Sequence, residues 1–176
     1  AIFIRKSVSW WFVMVGGCIW TEICHHSGMT RILFMAHAPS PNTVALRDRA
    51  ATDITAQTDV TLDVVSPFEA NADMARAADG IIIGTTENIG AMAGATKDYF
   101  DRSYHDLLDV TSGKPIAIYI RAGLDGTGTK RGLEAIITGL KWRLVAPICI
   151  LKGNWREDFT DHAAEVALTL AAGVEM

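Results

Sequence analysis

From Met29 onward, short apolar runs alternate with longer amphipathic stretches, and no other feature of this 176-residue sequence constrains its fold as tightly. Runs of strand length that are dense in Ile, Val and Leu belong in a parallel sheet covered on both faces. Five are present: Arg31 to Ala36, Thr61 to Ser66, Gly80 to Gly84, Pro115 to Ile120 and Arg143 to Ile150. Between and after them the period changes to that of a helix with one buried face. Leu133, Ile136, Ile137 and Leu140 follow i, i+3, i+4 and i+7, and Phe159, Ala163, Val166 and Leu170 mark the last helix. Asn42 is expected to cap the first helix, with Gly139 near the end of the fourth helix and Gly113 before the fourth strand as stops. The expectation is an α/β domain over residues 29–176, a doubly wound five-stranded parallel sheet of order 2-1-3-4-5 with helices on both faces. Its ligand crevice lies outside the carboxyl ends of the first and third strands, where successive connections leave in opposite directions.

Residues 1–28 break the pattern. They hold three of the five tryptophans and two of the three cysteines and show no sustained periodicity. Arg5 and Lys6 before the apolar run from Val8 to Trp20 imitate a signal peptide, but no small-residue cleavage site follows, and the run is short for a membrane span. Val15 to Cys18 imitates a lipoprotein box only loosely. This segment is expected to be a non-domain extension, upstream or mis-started, with the functional chain beginning at Met29. Cys24, His25 and His26 offer metal-ligating atoms, but no second ligand pair is spaced to complete a tetrahedron, so no metal site is expected.

A net charge of -4, with Lys and Arg scattered, supplies no basic field for nucleic acid. Three cysteines without framework spacing argue against a disulfide-stapled secreted domain and for a reducing, cytoplasmic location. No membrane association is expected, and self-association is left open.

Three loops at the expected crevice carry the candidate site. The first, His37-Ala38-Pro39-Ser40-Pro41-Asn42-Thr43, opens a helix, so free N–H groups and the positive end of the helix dipole face it. Ser40, Asn42 and Thr43 add neutral donors suited to a phosphate, with His37 nearby. The second loop runs from Gly84 to Lys97. Its small residues allow close backbone approach to a flat ligand, Thr85, Thr86, Glu87 and Asn88 offer polar groups, and Ile89 and Met92 flank Gly90 with apolar contact. The third is Arg121 to Thr129; Gly126 and Gly128 within it and Gly132 just beyond it imitate a dinucleotide fingerprint with the wrong spacing and after the wrong strand. Ala122, Gly123 and Gly126 are expected to bring backbone donors to the far edge of the same flat ligand.

The stretch GTTENIGAMAGATKDYFDRSY resembles the flavin-ring loop and following helix of flavodoxin-like quinone reductases related to tryptophan-repressor-binding protein, and of NADPH-dependent FMN reductases. Their motif runs roughly G-T-P-x-x-F-G-x-M-x-G-x-x-K-x-x-x-D. Gly84, Thr85, Gly90, Met92, Gly94, Lys97 and Asp101 match it, while Thr86 stands for the proline and Ile89 for the aromatic. Ser40-Pro41-Asn42-Thr43 is similar to the S-x-N-T phosphate turn of the FMN reductases. The resemblance implies a flavodoxin-like domain that binds FMN through the residues just named and passes electrons from NAD(P)H through FMN to a quinone or similar small acceptor. The chemistry would be centred on the flavin, without a catalytic side chain; a backbone N–H between Glu87 and Gly90 is the candidate donor to flavin N5. Two other readings stay open: a flavodoxin-type electron carrier without turnover of its own, and a scaffold that has lost the cofactor.

Overall fold

A computed structural model describes residues 29–175, and the expected N-terminal extension lies outside them. The central strands are β1 (Arg31–Ala36), β3 (Gly80–Asn88) and β5 (Pro115–Ala122), with β2 (Thr61–Val65) beside β1 at one edge. All these pairings are parallel: Phe34 lies opposite Val64 on one side and Ile82 on the other, and Ile82 opposite Ala117. The far edge is formed by β6 (Arg143–Leu144) and β7 (Cys149–Lys152), both pairing with β5. Counted as one interrupted strand, they complete the expected order 2-1-3-4-5.

The interruption corrects the expectation of a continuous fifth strand. Ile116 pairs with Leu144 and Tyr119 with Cys149, so the outer chain takes five steps where β5 takes three. Pro147 lies in the surplus segment, where it has no N–H to offer a ladder, and such a residue is tolerated at an edge or a bulge.

Five helices cover the sheet: α1 (Pro41–Gln57), α2 (Ala72–Ala77), α3 (Gly94–Leu107), α4 (Thr127–Gly139) and α5 (Phe159–Glu175). Successive residues of a strand point to opposite faces, which divides the core in two. Ile32, Phe34 and Ile82 pack with Leu46, Ala50 and Ile54 of α1 and Ala163, Ala167 and Leu170 of α5. Leu33, Met35, Ile81 and Ile83 pack with α2, with Tyr99, Phe100 and Leu107 of α3, and with Leu133 and Ile137 of α4. The Ile81-Ile82-Ile83 run thus feeds both cores. Gly139 ends a helix as expected, without a left-handed backbone. It is the last residue of α4, and a Cβ there would lie 2.1 Å from the Tyr104 hydroxyl; the left-handed residue beyond the helix is Lys141, at φ 56°.

Candidate functional site

α1 leaves the carboxyl end of β1 on one face and α3 follows β3 on the other, so the switch point falls between these two strands. The loop after β1 is tied to β3 at once, because the His37 N–H donates to the Gly84 carbonyl at 2.8 Å. Burial lowers the His37 pKa and so favours the neutral imidazole over the cation.

The cap of α1 is Ser40, not Asn42, and the helix begins at Pro41. Ser40 has extended backbone (φ -138°, ψ 160°), as a cap requires, and Pro41 fills a first-turn position where no N–H is missed. Thr43 closes the box: its hydroxyl accepts from the Ser40 N–H at 2.9 Å and donates to the Ser40 carbonyl at 2.9 Å. In return the Thr43 N–H donates to Ser40 Oγ at 3.4 Å. The buried Thr43 hydroxyl is therefore committed to the helix terminus, although the sequence suggested it as a free donor. Pro39 and Pro41 have no N–H. Among the described residues, the main-chain donors left open here are Ala38 and Asn42, joined by the exposed Asn42 side chain.

The second segment is not a loop from Gly84 onward. β3 continues to Asn88, turns at Ile89 and Gly90, and returns as β4 (Ala91–Met92), with Asn88 paired antiparallel to Ala91 and Glu87 to Met92. Ile89 at φ 54° and Gly90 at φ 75° make a two-residue hairpin whose central residues are both left-handed, the arrangement that matches strand twist. The hairpin sorts the expected site residues by face. Thr85 turns inward and shares a 2.7 Å hydroxyl–hydroxyl hydrogen bond with buried Thr96. Thr86 is 8% exposed and donates to Asn88 Oδ1 at 2.8 Å. Asn88, Ile89 and Gly90 reach solvent, and the N–H groups of Ile89 and Gly90 have no partner among the described residues.

The third loop is joined to this hairpin by one side chain. Glu87 accepts from the Leu124 N–H at 2.8 Å and from the Gly126 N–H at 3.1 Å, one carboxylate oxygen to each. Gly126 is left-handed at φ 75°, and its N–H is already used, so it is not an open donor for a ligand. Gly128 and Gly132 serve packing: a Cβ on Gly128 would lie 1.9 Å from the Gly90 carbonyl oxygen, and one on Gly132 would lie 2.8 Å from Met92 Cε. Ala122 is fully buried and Gly123 exposed.

One residue outside the expected set, Leu124, joins Ile89 here. Leu124 is 70% exposed, and Ile89 is wholly exposed, so large apolar side chains stand on both joined loops. An apolar residue inside the glycine-rich run Ala122 to Gly128 was the available signal for Leu124. Arg121 is turned away, donating to the carbonyls of Ala122, Leu151 and Gly153 and lying 5.5 Å from the Phe159 ring centre. No group of three or more His, Cys, Asp or Glu among the described residues is arranged to hold a metal ion, and no described helix is long and apolar enough to cross a membrane. A hollow of about 440 Å³ lined by Arg31, Asp79 and Arg143 lies at the amino end of the sheet, opposite the switch point.

No protein-family model and no curated protein matches the sequence. Solved structures do match. An archaeal flavodoxin aligns with a TM-score of 0.71 at 15% identity, over 84% of this chain and 100% of its own. Flavodoxin 2 of Bacillus cereus aligns with 0.65 at 18% identity, over 82% and 99%. An oxidoreductase from Corynebacterium diphtheriae aligns with 0.59 at 14% identity, over 83% and 97%. At such identities the likeness is one of architecture, and with the strand order and switch point described above it shows that this chain has the flavodoxin-like fold.

Proposed function

We propose that this chain binds FMN at the carboxyl ends of β1 and β3 and works as a flavodoxin-type electron-transfer protein. The observation that carries this reading is the convergence of three segments at one switch point: the N-terminus of α1, the tip of the β3–β4 hairpin and the β5–α4 loop. The donor set there fits the group. The Ala38 and Asn42 N–H groups, the Ser40 hydroxyl and the Asn42 amide suit a phosphate at the positive end of a 17-residue helix. The open N–H groups of Ile89 and Gly90 suit the polar edge of a flavin, and the exposed Ile89 and Leu124 side chains suit its apolar faces. A bound flavin supplies reversible electron transfer; the protein orients it and controls what reaches it. Thr43 contributes by holding the helix terminus, and Thr85 and Thr86 by fixing the base of the hairpin. The flavodoxins among the structural neighbours match over nearly their whole length, which favours a carrier.

A second reading is reduction of a quinone or similar small acceptor by NAD(P)H through the same FMN. The mild net charge of -4 favours it, because a docking carrier gains from a strongly charged surface. One set of experiments tests both. The purified protein should show flavin absorption, or quench FMN fluorescence on titration; a colourless protein that does neither sinks both readings. FMN that binds tightly but is not bleached by NADH or NADPH selects the carrier. Bleaching followed by reoxidation with a quinone selects the reductase.

A further inference from the structure

A carboxylate oxygen has room for more than one hydrogen bond, and a loop that places two N–H groups close together forms a small anion-binding concavity. In the β5–α4 loop those N–H groups belong to Leu124 and Gly126, and the anion is Glu87, 37 and 39 residues away in the chain. Glu87 lies in β3 opposite Met92, so its carboxylate connects the arm of the hairpin to the neighbouring loop. The same two segments meet again at Gly128, beside the Gly90 carbonyl, and at Gly132, beside Met92. Those packing contacts press the hairpin against α4; among the described residues, only Glu87 fixes it by directed, charge-assisted bonds to the loop between Ala122 and Thr127.

We propose that Glu87 is a positioning residue: its carboxylate clasps the β3–β4 hairpin to the β5–α4 loop and thereby sets the spacing between Ile89 and Leu124, the two walls offered to a flat ring. The inference rests on the FMN reading for the identity of the ring, and on Glu87, Leu124 and Gly126 alone for the clasp. The side chain acts through the two segments it joins. Each of its two carboxylate oxygens holds one N–H of the loop, so a ring slot preformed by Glu87 binds without first ordering two separate loops.

Glu87→Gln keeps one acceptor oxygen and loses the charge, whereas Glu87→Ala loses both bonds. Amide hydrogen exchange in the flavin-free protein is the first measurement. Leu124 and Gly126 should exchange at least about tenfold faster in Glu87→Ala and by a smaller factor in Glu87→Gln, while Phe34 and Ile82 in the core keep the parent rates. The second is titration with FMN and with riboflavin, which lacks the phosphate. Both affinities should fall together, about tenfold or more in Glu87→Ala, with partial recovery in Glu87→Gln. Unchanged exchange at Leu124 and Gly126 overturns the clasp. A loss confined to FMN overturns the assignment to the ring, since the defect would then lie at the phosphate end. A parent protein that binds neither flavin overturns the ring-site role together with the FMN reading, and the exchange rates still decide whether the clasp exists. Accelerated exchange with undiminished affinity for both flavins overturns the positioning role alone.

Discussion

Tyr119 occupies the space that a side chain on Gly84 would need. The two residues are paired across β3 and β5, and a Cβ on Gly84 would lie 2.2 Å from the Tyr119 hydroxyl oxygen and 2.3 Å from its Cζ. The ring is buried and packs edge-on against Phe34, so it cannot swing away cheaply. Gly84→Ala should therefore cost about 1–3 kcal/mol, the usual scale of overpacking. Tyr119→Phe should not rescue it, because Cζ remains in the way, whereas Tyr119→Leu should recover part of the loss. Urea denaturation midpoints of Gly84→Ala alone and combined with each Tyr119 change check this; an unperturbed Gly84→Ala protein would contradict it.

Burial raises the pKa of both Tyr99 and Tyr119 above the ordinary 10.0. Above that pH the folded state holds protons that the unfolded state has released, so this contribution to stability is complete below pH 10 and is lost as pH rises beyond it. Phenolate absorption from these two residues should appear together with unfolding, not before it. Tyr99 adds a second expectation, since its buried hydroxyl has no hydrogen-bond partner among the described residues. Removing an unsatisfied group should help, and Tyr99→Phe should gain about 1 kcal/mol and move alkaline unfolding to higher pH. Phenolates forming near pH 10 within an intact fold would refute the argument.

The Ser40–Thr43 box predicts coupling. Either residue changed to Ala should cost about 0.5–2 kcal/mol, and the double variant should cost less than the sum, because both single changes break the same reciprocal bonds. Thermal melts of the three proteins give the coupling directly. On the FMN reading, Asn42→Ala should weaken FMN more than riboflavin while leaving the melt close to the parent, since its exposed side chain takes no part in the box.

Ile89 carries a β-branched side chain in a left-handed conformation at full exposure. That backbone costs an L-residue roughly 1–2 kcal/mol, and Asn before Gly is the preferred pair for such a turn. Ile89→Asn should stabilise the protein by about 1 kcal/mol, because it removes strain without giving up buried area. If Ile89 covers a flavin face, the same change should weaken FMN binding. Rising stability with falling affinity is the expected result, and a loss of stability would show that the side chain is packed.

The core and the direction of every central strand were legible in the sequence because a strand buried on both faces must be apolar throughout, as in Ile81 to Ile83, and a helix with one buried face must repeat as Leu133, Ile136, Ile137 and Leu140 do. Both signals are local. The place of the crevice followed from strand order, which the alternation of strands and helices implies. What lay beyond local reach depended on how distant segments meet. Thr85 to Asn88 read as loop because polar residues conceal a strand whose apolar support comes from α3 and α4. The cap fell to Ser40 because Pro41 already fits the first helical turn and Thr43 reaches back. The fifth strand broke where its neighbour's ladder and Pro147 fell out of step. Glu87 read as one more polar residue, for nothing within a few positions of it announces the Leu124 and Gly126 amides. Periodicity records which face of an element is buried, but a hydrogen bond between residues 37 or 39 positions apart exists only once the sheet has brought β3 beside β5.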